Sequence, residues 1–176
     1  MKRTVSVAGA FSILAISIAA YAANETAAPK EREFLLKAAQ GQKAEIALGQ
    51  LATEHAGSNK VKDFGRQMID DHAKANEQVK QLASKEGVTL PKDVELPAAQ
   101  QERAQRFQQL SGKEFDRAYM DYMLREHTKD IHEFEEGASR IKDPDVRQWA
   151  SKTLPILKSH LTMARSIAED LGIDMR

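Results

Sequence analysis

The sequence has no cysteine among its 176 residues and no excess of charge of either sign. Without thiols the chain has no disulfide framework and no cysteine for lipid attachment, so its fold depends on a packed core. The 26 basic residues balance the 26 acidic residues. This balance argues against a surface for nucleic acid or for anionic lipid, because both need a basic excess.

The sequence also lacks the motifs of several common enzyme classes. It has no Gly-rich phosphate loop, no Gly-x-Ser-x-Gly elbow and no His-Glu-x-x-His zinc motif. A di-iron carboxylate site uses a Glu-x-x-His pair on each of two helices. The residues three positions before the three inward histidines identified below are instead apolar: Ile69, Leu124 and Leu157. We therefore assign no catalytic residue.

The longest apolar run lies at the N-terminus. Two basic residues precede apolar and small residues from Val5 to Ala20, and an Ala-Tyr-Ala cleavage site ends at Ala22, which is the order of a secretory signal peptide. The run is marginal for a membrane span, which needs about 20 residues. We expect cleavage after Ala22, leaving 154 residues of formal charge −2 and no stable membrane span. The bacterial periplasm is the expected location.

The rest of the chain has helical periodicity. A polar leader, residues 23–32, precedes one all-α domain, residues 33–172, in which apolar residues recur at intervals of three and four. The pattern predicts four long helices and one short helix, at about residues 31–56, 58–87, 98–109, 111–141 and 144–171.

Turn and capping residues divide these helices into two hairpins. Gly57-Ser58 combines a helix stop with an N-cap, and Asp143-Pro144 combines an N-cap with a first helical residue. Ser111 and Glu114 have the spacing of a capping box, in which each side chain binds the other's backbone amide.

The only long connection lies between the two hairpins, from Gly87 to Leu110. It is long enough to travel back along the bundle, so the third long helix can begin at the same end as the second. The sequence therefore predicts an antiparallel four-helix bundle of ferritin-like type with a long crossover. A simple up-and-down bundle is the alternative.

Each long helix places one polar residue on its inward face: Glu45, His72, His127 and His160. Counted from the turns, all four fall near the middle of the bundle. Three imidazoles and one carboxylate at one level are a possible ligand set for zinc, iron, manganese or copper. A hydrogen-bonded polar layer that fixes the register of the helices is the alternative.

Other polar residues near these positions have weaker claims to a role in the site. Asp130 is closest to the inward stripe and is predicted to orient His127 or to add an oxygen ligand. Asp70, Asp71 and Glu126 are predicted to face water. His132 projects to the opposite face and His55 lies at a helix end. The methionines one turn before two of the histidines, Met68 and Met123, suit copper or haem but are more typical of core packing.

Four segments resemble the bacterial DUF4142 family, a domain of unknown function: EIALGQLA (45–52), VKDFGRQMIDDH (61–72), LSGKEFDRAY (110–119) and TLPILKSHL (153–161). The resemblance spans roughly residues 33–171. It implies an exported, ferritin-like helical protein, and it implies no established activity.

Two functional hypotheses follow from these observations. The first is a periplasmic protein that binds a transition metal through Glu45, His72, His127 and His160, in metal handling or envelope stress. The second is a non-enzymatic structural or interaction protein of the cell envelope, whose polar layer serves only the fold. A redox enzyme comes third. No protein partner or oligomeric state is predicted.

Overall fold

The structure is a computed structural model that describes residues 29–90 and 98–173. It contains five helices in these ranges: α1 Pro29–His55, α2 Asn59–Lys85, α3 Ala98–Gln108, α4 Gly112–Arg140 and α5 Pro144–Asp170. The all-α prediction is confirmed. The predicted signal peptide, residues 1–22, and most of the predicted leader lie outside the described residues. Within them, no helix is both long and apolar enough to cross a bilayer.

Contacts at both ends of the bundle define the helix directions. Lys60 at the start of α2 pairs with Asp170 at the end of α5, and Lys85 at the end of α2 pairs with Asp145 at the start of α5. These helices are therefore antiparallel neighbours. Gly57, in the turn before α2, adjoins Gly112 at the start of α4. Because α2 and α4 begin at the same end, the connection between them travels the length of the bundle, as the crossover prediction requires.

The short helix α3 belongs to this crossover and packs beside α1 and α4. Phe107 is its only buried residue, and its ring lies 5.7 Å from that of Phe115 and 5.9 Å from that of Tyr122 on α4. The guanidinium of Arg103 lies over the Tyr122 ring, 4.3 Å from its centroid. One aromatic anchor and one cation–π contact thus hold the returning segment against the bundle.

The apolar core consists of two clusters. The first lies toward the Gly57 end and includes Phe64, Met68, Phe115, Tyr119 and Met123. The second lies toward the Lys142 end and includes Leu35, Val79, Phe134, Trp149 and Leu157. Buried polar residues occupy the level between them: Gln42, Glu45, His72, His127 and His160. Burying these groups is costly unless they have partners, so the middle of the bundle is the part of the core that packing alone does not explain.

Helix α1 begins at Pro29, two residues before the predicted start at about residue 31. Residues 29–32, which the predicted leader includes, form its first turn. Glu31 is only 4% exposed, and its Oε1 accepts a hydrogen bond from the Lys142 amide at 2.9 Å. This long-range contact with the α4–α5 turn anchors the first turn of α1.

Of the three predicted N-caps, one makes the expected hydrogen bonds and two do not. Asp143 accepts hydrogen bonds from the amides of Asp145 and Val146, both at 2.9 Å, as predicted for the N-cap of α5. Ser58 and Ser111 occupy the N-cap positions of α2 and α4, but neither side chain makes a capping bond. The capping-box prediction at Ser111 is therefore wrong in its hydrogen bonds, although α4 begins where it indicated.

The start of α2 is instead capped from α4. Asp116 is 2% exposed, and its two carboxylate oxygens accept hydrogen bonds from the amides of Gly57 at 3.0 Å and Ser58 at 2.9 Å. A carboxylate at a helix N-terminus is also favoured by the helix dipole. One buried acid thus joins the α1–α2 turn to the first turns of α4.

Candidate metal centre

The three inward histidines form one buried cluster. Each can place one ring nitrogen within 4.8 Å of the corresponding nitrogens of the other two. Their ring centroids are 5.3 to 5.9 Å apart. His72, His127 and His160 are 4%, 0% and 1% exposed. The structure therefore brings together three of the four residues that the sequence predicted as ligands.

Each histidine has one ring nitrogen bound to a neighbouring acceptor. His72 Nδ1 donates to Gln42 Oε1 at 2.7 Å, and His127 Nδ1 donates to the Met123 carbonyl at 3.0 Å. His160 Nε2 donates to Asp71 Oδ2 at 3.0 Å. Because these three acceptors fix the tautomers, the other nitrogen of each neutral ring carries a lone pair.

The second ring nitrogen of each histidine has no hydrogen-bond donor as a partner. His72 Nε2 has no hydrogen-bond partner. His127 Nε2 and His160 Nδ1 lie 3.3 Å apart. Although this is a hydrogen-bond distance, both protons are used elsewhere when the rings are neutral, so two lone pairs face each other. Such an arrangement is unfavourable unless a cation lies between them.

Protonation is a costly way to supply that cation. Burial lowers the pKa of His72 well below its ordinary value, with further lowering by His127 and His160. Burial, followed by the neighbouring His160, lowers the pKa of His127 to about 4. Burial also lowers the pKa of His160, although the hydrogen bond to Asp71 opposes that effect. All three imidazoles are therefore neutral near pH 7, which is the state that binds metals.

Asp71 and Gln42 are site residues that the sequence interpretation missed. Asp71 was predicted to face water, but its side chain is only 19% exposed and accepts the proton of His160. Although burial opposes ionisation, hydrogen bonds from His160 and Gln67 hold the pKa of Asp71 below its usual range. A carboxylate on the distal nitrogen of a histidine is a common support for a metal ligand, since it fixes the ring and raises its basicity.

Gln42 could have been found by counting residues from the α1–α2 turn. Gln42 and His72 are each 15 positions from Gly57, so they lie at the same height on adjacent antiparallel helices. Glu45 is one turn closer to Gly57. Glu45 was predicted to lie at mid-bundle with the histidines, but this shift of about 4.5 Å separates its carboxyl group from the level of the imidazoles.

Glu45 is buried but is not part of the histidine cluster. It is 3% exposed, and its Oε2 has no hydrogen-bond partner. Burial raises the pKa of this carboxyl well above its ordinary value, and the nearby carboxylates of Asp130 and Glu126 raise it further. Two groups of described residues have ligand atoms that all lie within 4.8 Å of one another. One consists of the three histidines and the other of Glu86, Asp143 and Asp145, so Glu45 belongs to neither.

Asp130 does not orient His127, because both nitrogens of that ring contact other groups. It instead lines a small cavity beside Gln42 and His72. Burial and then Glu126 raise the pKa of Asp130 to about 7. Met68 and Met123 are fully buried in the apolar cluster on the Gly57 side, where they pack as core residues.

Comparison with solved structures shows the same fold in two proteins of another family of unknown function. A DUF305 protein from Streptomyces coelicolor has a TM-score of 0.67 at 12% identity, covering 80% of this chain and 93% of its own. A DUF305 fragment from Deinococcus radiodurans has a TM-score of 0.69 at 14% identity, covering 83% of this chain and 97% of its own. At these identities the likeness concerns the fold alone.

Comparison of the sequence with known proteins identifies a family but no activity. No curated protein matches the chain. The model of the domain of unknown function DUF4142 matches residues 17–167, which include all four segments that carry the resemblance. The chain therefore belongs to the DUF4142 family.

Proposed function

We propose that this protein binds one transition-metal ion, Zn²⁺ or Cu²⁺, through His72, His127 and His160, and that it does so in the periplasm in metal handling or envelope stress. Neutral imidazoles suit both ions. The proposal for the location rests on the sequence of residues 1–22, which has the order of a signal peptide.

The metal proposal rests on three imidazole lone pairs that converge. In each ring the other nitrogen donates a hydrogen bond that fixes the orientation of the ring. His72, His127 and His160 each donate their only proton to a separate acceptor. A polar layer built only for stability would pair these nitrogens with donors, because buried polar groups without partners cost about 1 to 3 kcal/mol each. A metal ion satisfies all three at once.

One distance in the cluster also fits a tetrahedral site. Zn–N bonds of about 2.0 to 2.1 Å at tetrahedral angles place two ligand nitrogens about 3.3 Å apart. His127 Nε2 and His160 Nδ1 are separated by 3.3 Å. The separation of these two nitrogens is therefore compatible with binding to the same ion, and His72 would supply the third ligand from α2.

A purely structural polar layer is the second candidate. It is favoured by the position of the histidines between the two apolar clusters, where a hydrogen-bonded level would fix the register of the helices. In that case the melting temperature would be the same with added metal and with chelator.

Thermal melting separates the two candidates. We expect the melting temperature of the full mature chain to rise with Zn²⁺ or Cu²⁺ and to fall with chelator. At free metal about 100-fold above the Kd, the stabilisation is about 2.7 kcal/mol, or roughly 5 to 10 °C for a domain of this size. Mn²⁺ and Fe²⁺ should have smaller effects. Elemental analysis of untagged protein should give about one metal ion per chain.

The matched control for this measurement is His132→Ala. His132 is an exposed histidine on α4, so its loss removes an imidazole without changing the cluster. This variant should respond to metal as the wild type does. Identical melting of the wild type in every metal and in chelator would contradict the metal proposal and favour the structural layer.

Asp71 provides a test of the tautomer assignment. We expect Asp71→Ala to weaken Zn²⁺ binding by about 10- to 100-fold, because His160 loses the acceptor that fixes its ring. The control is Asp70→Ala, which removes the same charge from the adjacent, exposed position. Calorimetric titration with Zn²⁺ measures both affinities. Equal affinities for the two variants would show that Asp71 does not support a ligand.

A further inference from the structure

A crevice between α1, α3 and α4 lies beside the histidine cluster. We call it the acidic crevice. It has a volume of about 300 Å³, and four carboxyl groups line it: Glu45, Glu126, Asp130 and Glu133. Two lysines, Lys37 and Lys129, form its outer rim, with side chains 59% and 60% exposed. The crevice therefore opens to solvent and carries more acidic than basic groups.

Each of the two lysines lies near carboxylates. Lys129 lies 3.8 Å from both Glu126 and Glu133, so one cation is shared between two carboxylates. Lys37 pairs with Glu33 at 2.8 Å, outside the crevice lining. Burial, followed by the neighbouring Glu126 and Glu133, raises the pKa of Asp130 to about 7.

Two side chains of the crevice lining have oxygen atoms without partners. Glu45 and Gln100 line the crevice, and Glu45 Oε2 and Gln100 Oε1 are buried atoms with no hydrogen-bond partner. Glu45 is 3% exposed, so water does not readily replace the missing partner. Carboxyl and amide oxygens of this kind are suited to a cation, which would displace the carboxyl proton, or to the water molecules of its hydration shell.

A second, smaller cavity adjoins the acidic crevice and is lined by His72. It has a volume of about 30 Å³ and is lined by Gln42 and His72 together with Gly41, Asp130 and Glu133. The last three residues also line the acidic crevice, so the two spaces share a wall. His72, whose Nε2 has no partner, is the histidine that this cavity reaches.

Gly41 lines both spaces, where it lies on the path from the crevice to His72, and it has no packing reason to be glycine. A Cβ at this position would meet nothing within 4 Å, and its φ is not positive. Glycine within a helix costs about 0.5 to 1 kcal/mol relative to alanine. Gly49 and Gly65 differ, because a Cβ at either would lie 2.8 Å from an atom of the facing helix. The consequence of glycine at position 41 is that the path has no side chain across it.

We propose that the acidic crevice captures hydrated divalent cations from solvent and passes them over Gly41 to the three histidines. This inference rests on the proposed metal site and adds its route of loading. Glu126 and Glu133 raise the local cation concentration, and side-chain oxygens of the crevice lining replace water ligands as the ion loses its hydration shell. The final acceptors are the imidazole nitrogens, which bind transition metals more strongly than oxygen ligands do.

The test is the rate at which metal-free protein takes up Co²⁺, followed by stopped-flow absorbance of the cobalt ligand-field bands. Gly41→Leu should place a side chain across the path and slow uptake and release by about 10-fold or more, with the equilibrium affinity nearly unchanged. Gly41→Ala is its control, because its methyl group meets no neighbour. That control should load at nearly the wild-type rate.

A double variant and its matched control test the charge of the acidic crevice without changing the shape of the path. Glu126→Gln with Glu133→Gln should slow uptake about 10-fold at about 10 mM salt, and the difference should disappear near 1 M salt, where charges are screened beyond about 3 Å. Glu54→Gln with Glu77→Gln is the control, because both residues are exposed and the net charge changes equally.

Each outcome bears on one proposal or on both. Unchanged uptake in Gly41→Leu and in the Glu126/Glu133 variant, with Co²⁺ bound in each, would overturn the route and leave the metal site. A loss of equilibrium affinity without a slower uptake would also overturn the route. Absence of Co²⁺ binding by the wild type would overturn the metal site and the route together.

Discussion

Replacing His127 with alanine is expected to abolish the dependence of the melting temperature on Zn²⁺ and Cu²⁺. His127 is the central ligand of the cluster, because its Nε2 lies 3.3 Å from His160 Nδ1 and its ring adjoins His72. Removing one of three ligands leaves two imidazoles, which cannot complete a three-nitrogen site. The melting temperatures of His127→Ala with metal and with chelator should therefore coincide.

The same variant should also be less stable than the metal-free wild type. His127 is fully buried, and its loss leaves the Met123 carbonyl without that donor and creates a cavity beside Phe64. These effects cost about 1 to 3 kcal/mol. Urea denaturation in chelator measures this part separately from the metal effect. If His127→Ala kept the full metal response of the wild type, the proposed ligand set would be wrong.

Replacing Asp116 with alanine is expected to lower the free energy of unfolding by about 2 to 3 kcal/mol. The carboxylate accepts hydrogen bonds from the amides of Gly57 and Ser58, and neither the Ser58 nor the Ser111 side chain makes a capping bond. Its removal therefore leaves the start of α2 without its cap and weakens the contact between the two hairpins. Urea denaturation measures the change.

Two further variants control for charge and for shape. Asp121→Ala removes an acid from the same helix that is 46% exposed and pairs with Arg125, so it should cost no more than about 0.5 kcal/mol. Asp116→Asn keeps one acceptor oxygen and should fall between the wild type and alanine. If Asp116→Ala and Asp121→Ala cost the same, the cap across the hairpins contributes nothing.

The helices of this fold were largely predictable because their ends have local chemical causes. Gly57, Gly87 and Pro144 mark positions where a helix stops or starts whatever surrounds it. The inward positions of His72, His127 and His160 were also predictable, because a period of 3.6 residues determines which side of a helix faces its apolar neighbours. The crossover followed from the length of the single long connection.

The partners of the site residues were not predictable in the same way. Periodicity shows that a residue faces inward, but it does not show which helix lies opposite. Asp71 was predicted to face water because it lies beside the apolar stripe of α2, yet α5 is the neighbour on that side and brings His160 to it. Asp116 and Glu31 were missed for the same reason, since each binds a turn of the other hairpin.

The sequence by itself determined the helices, their inward faces and the height of three histidines, because each of these depends on residues close together in the chain. The tertiary structure decided that α2 lies beside α5, that Gln42 and Asp71 hold two of the imidazoles, and that Glu45 lies apart from them in the acidic crevice. The physical reason is that a hydrogen bond is lost when its donor and acceptor move apart by about 1 Å. A helical period locates a side chain only to within about one turn, or 5.4 Å.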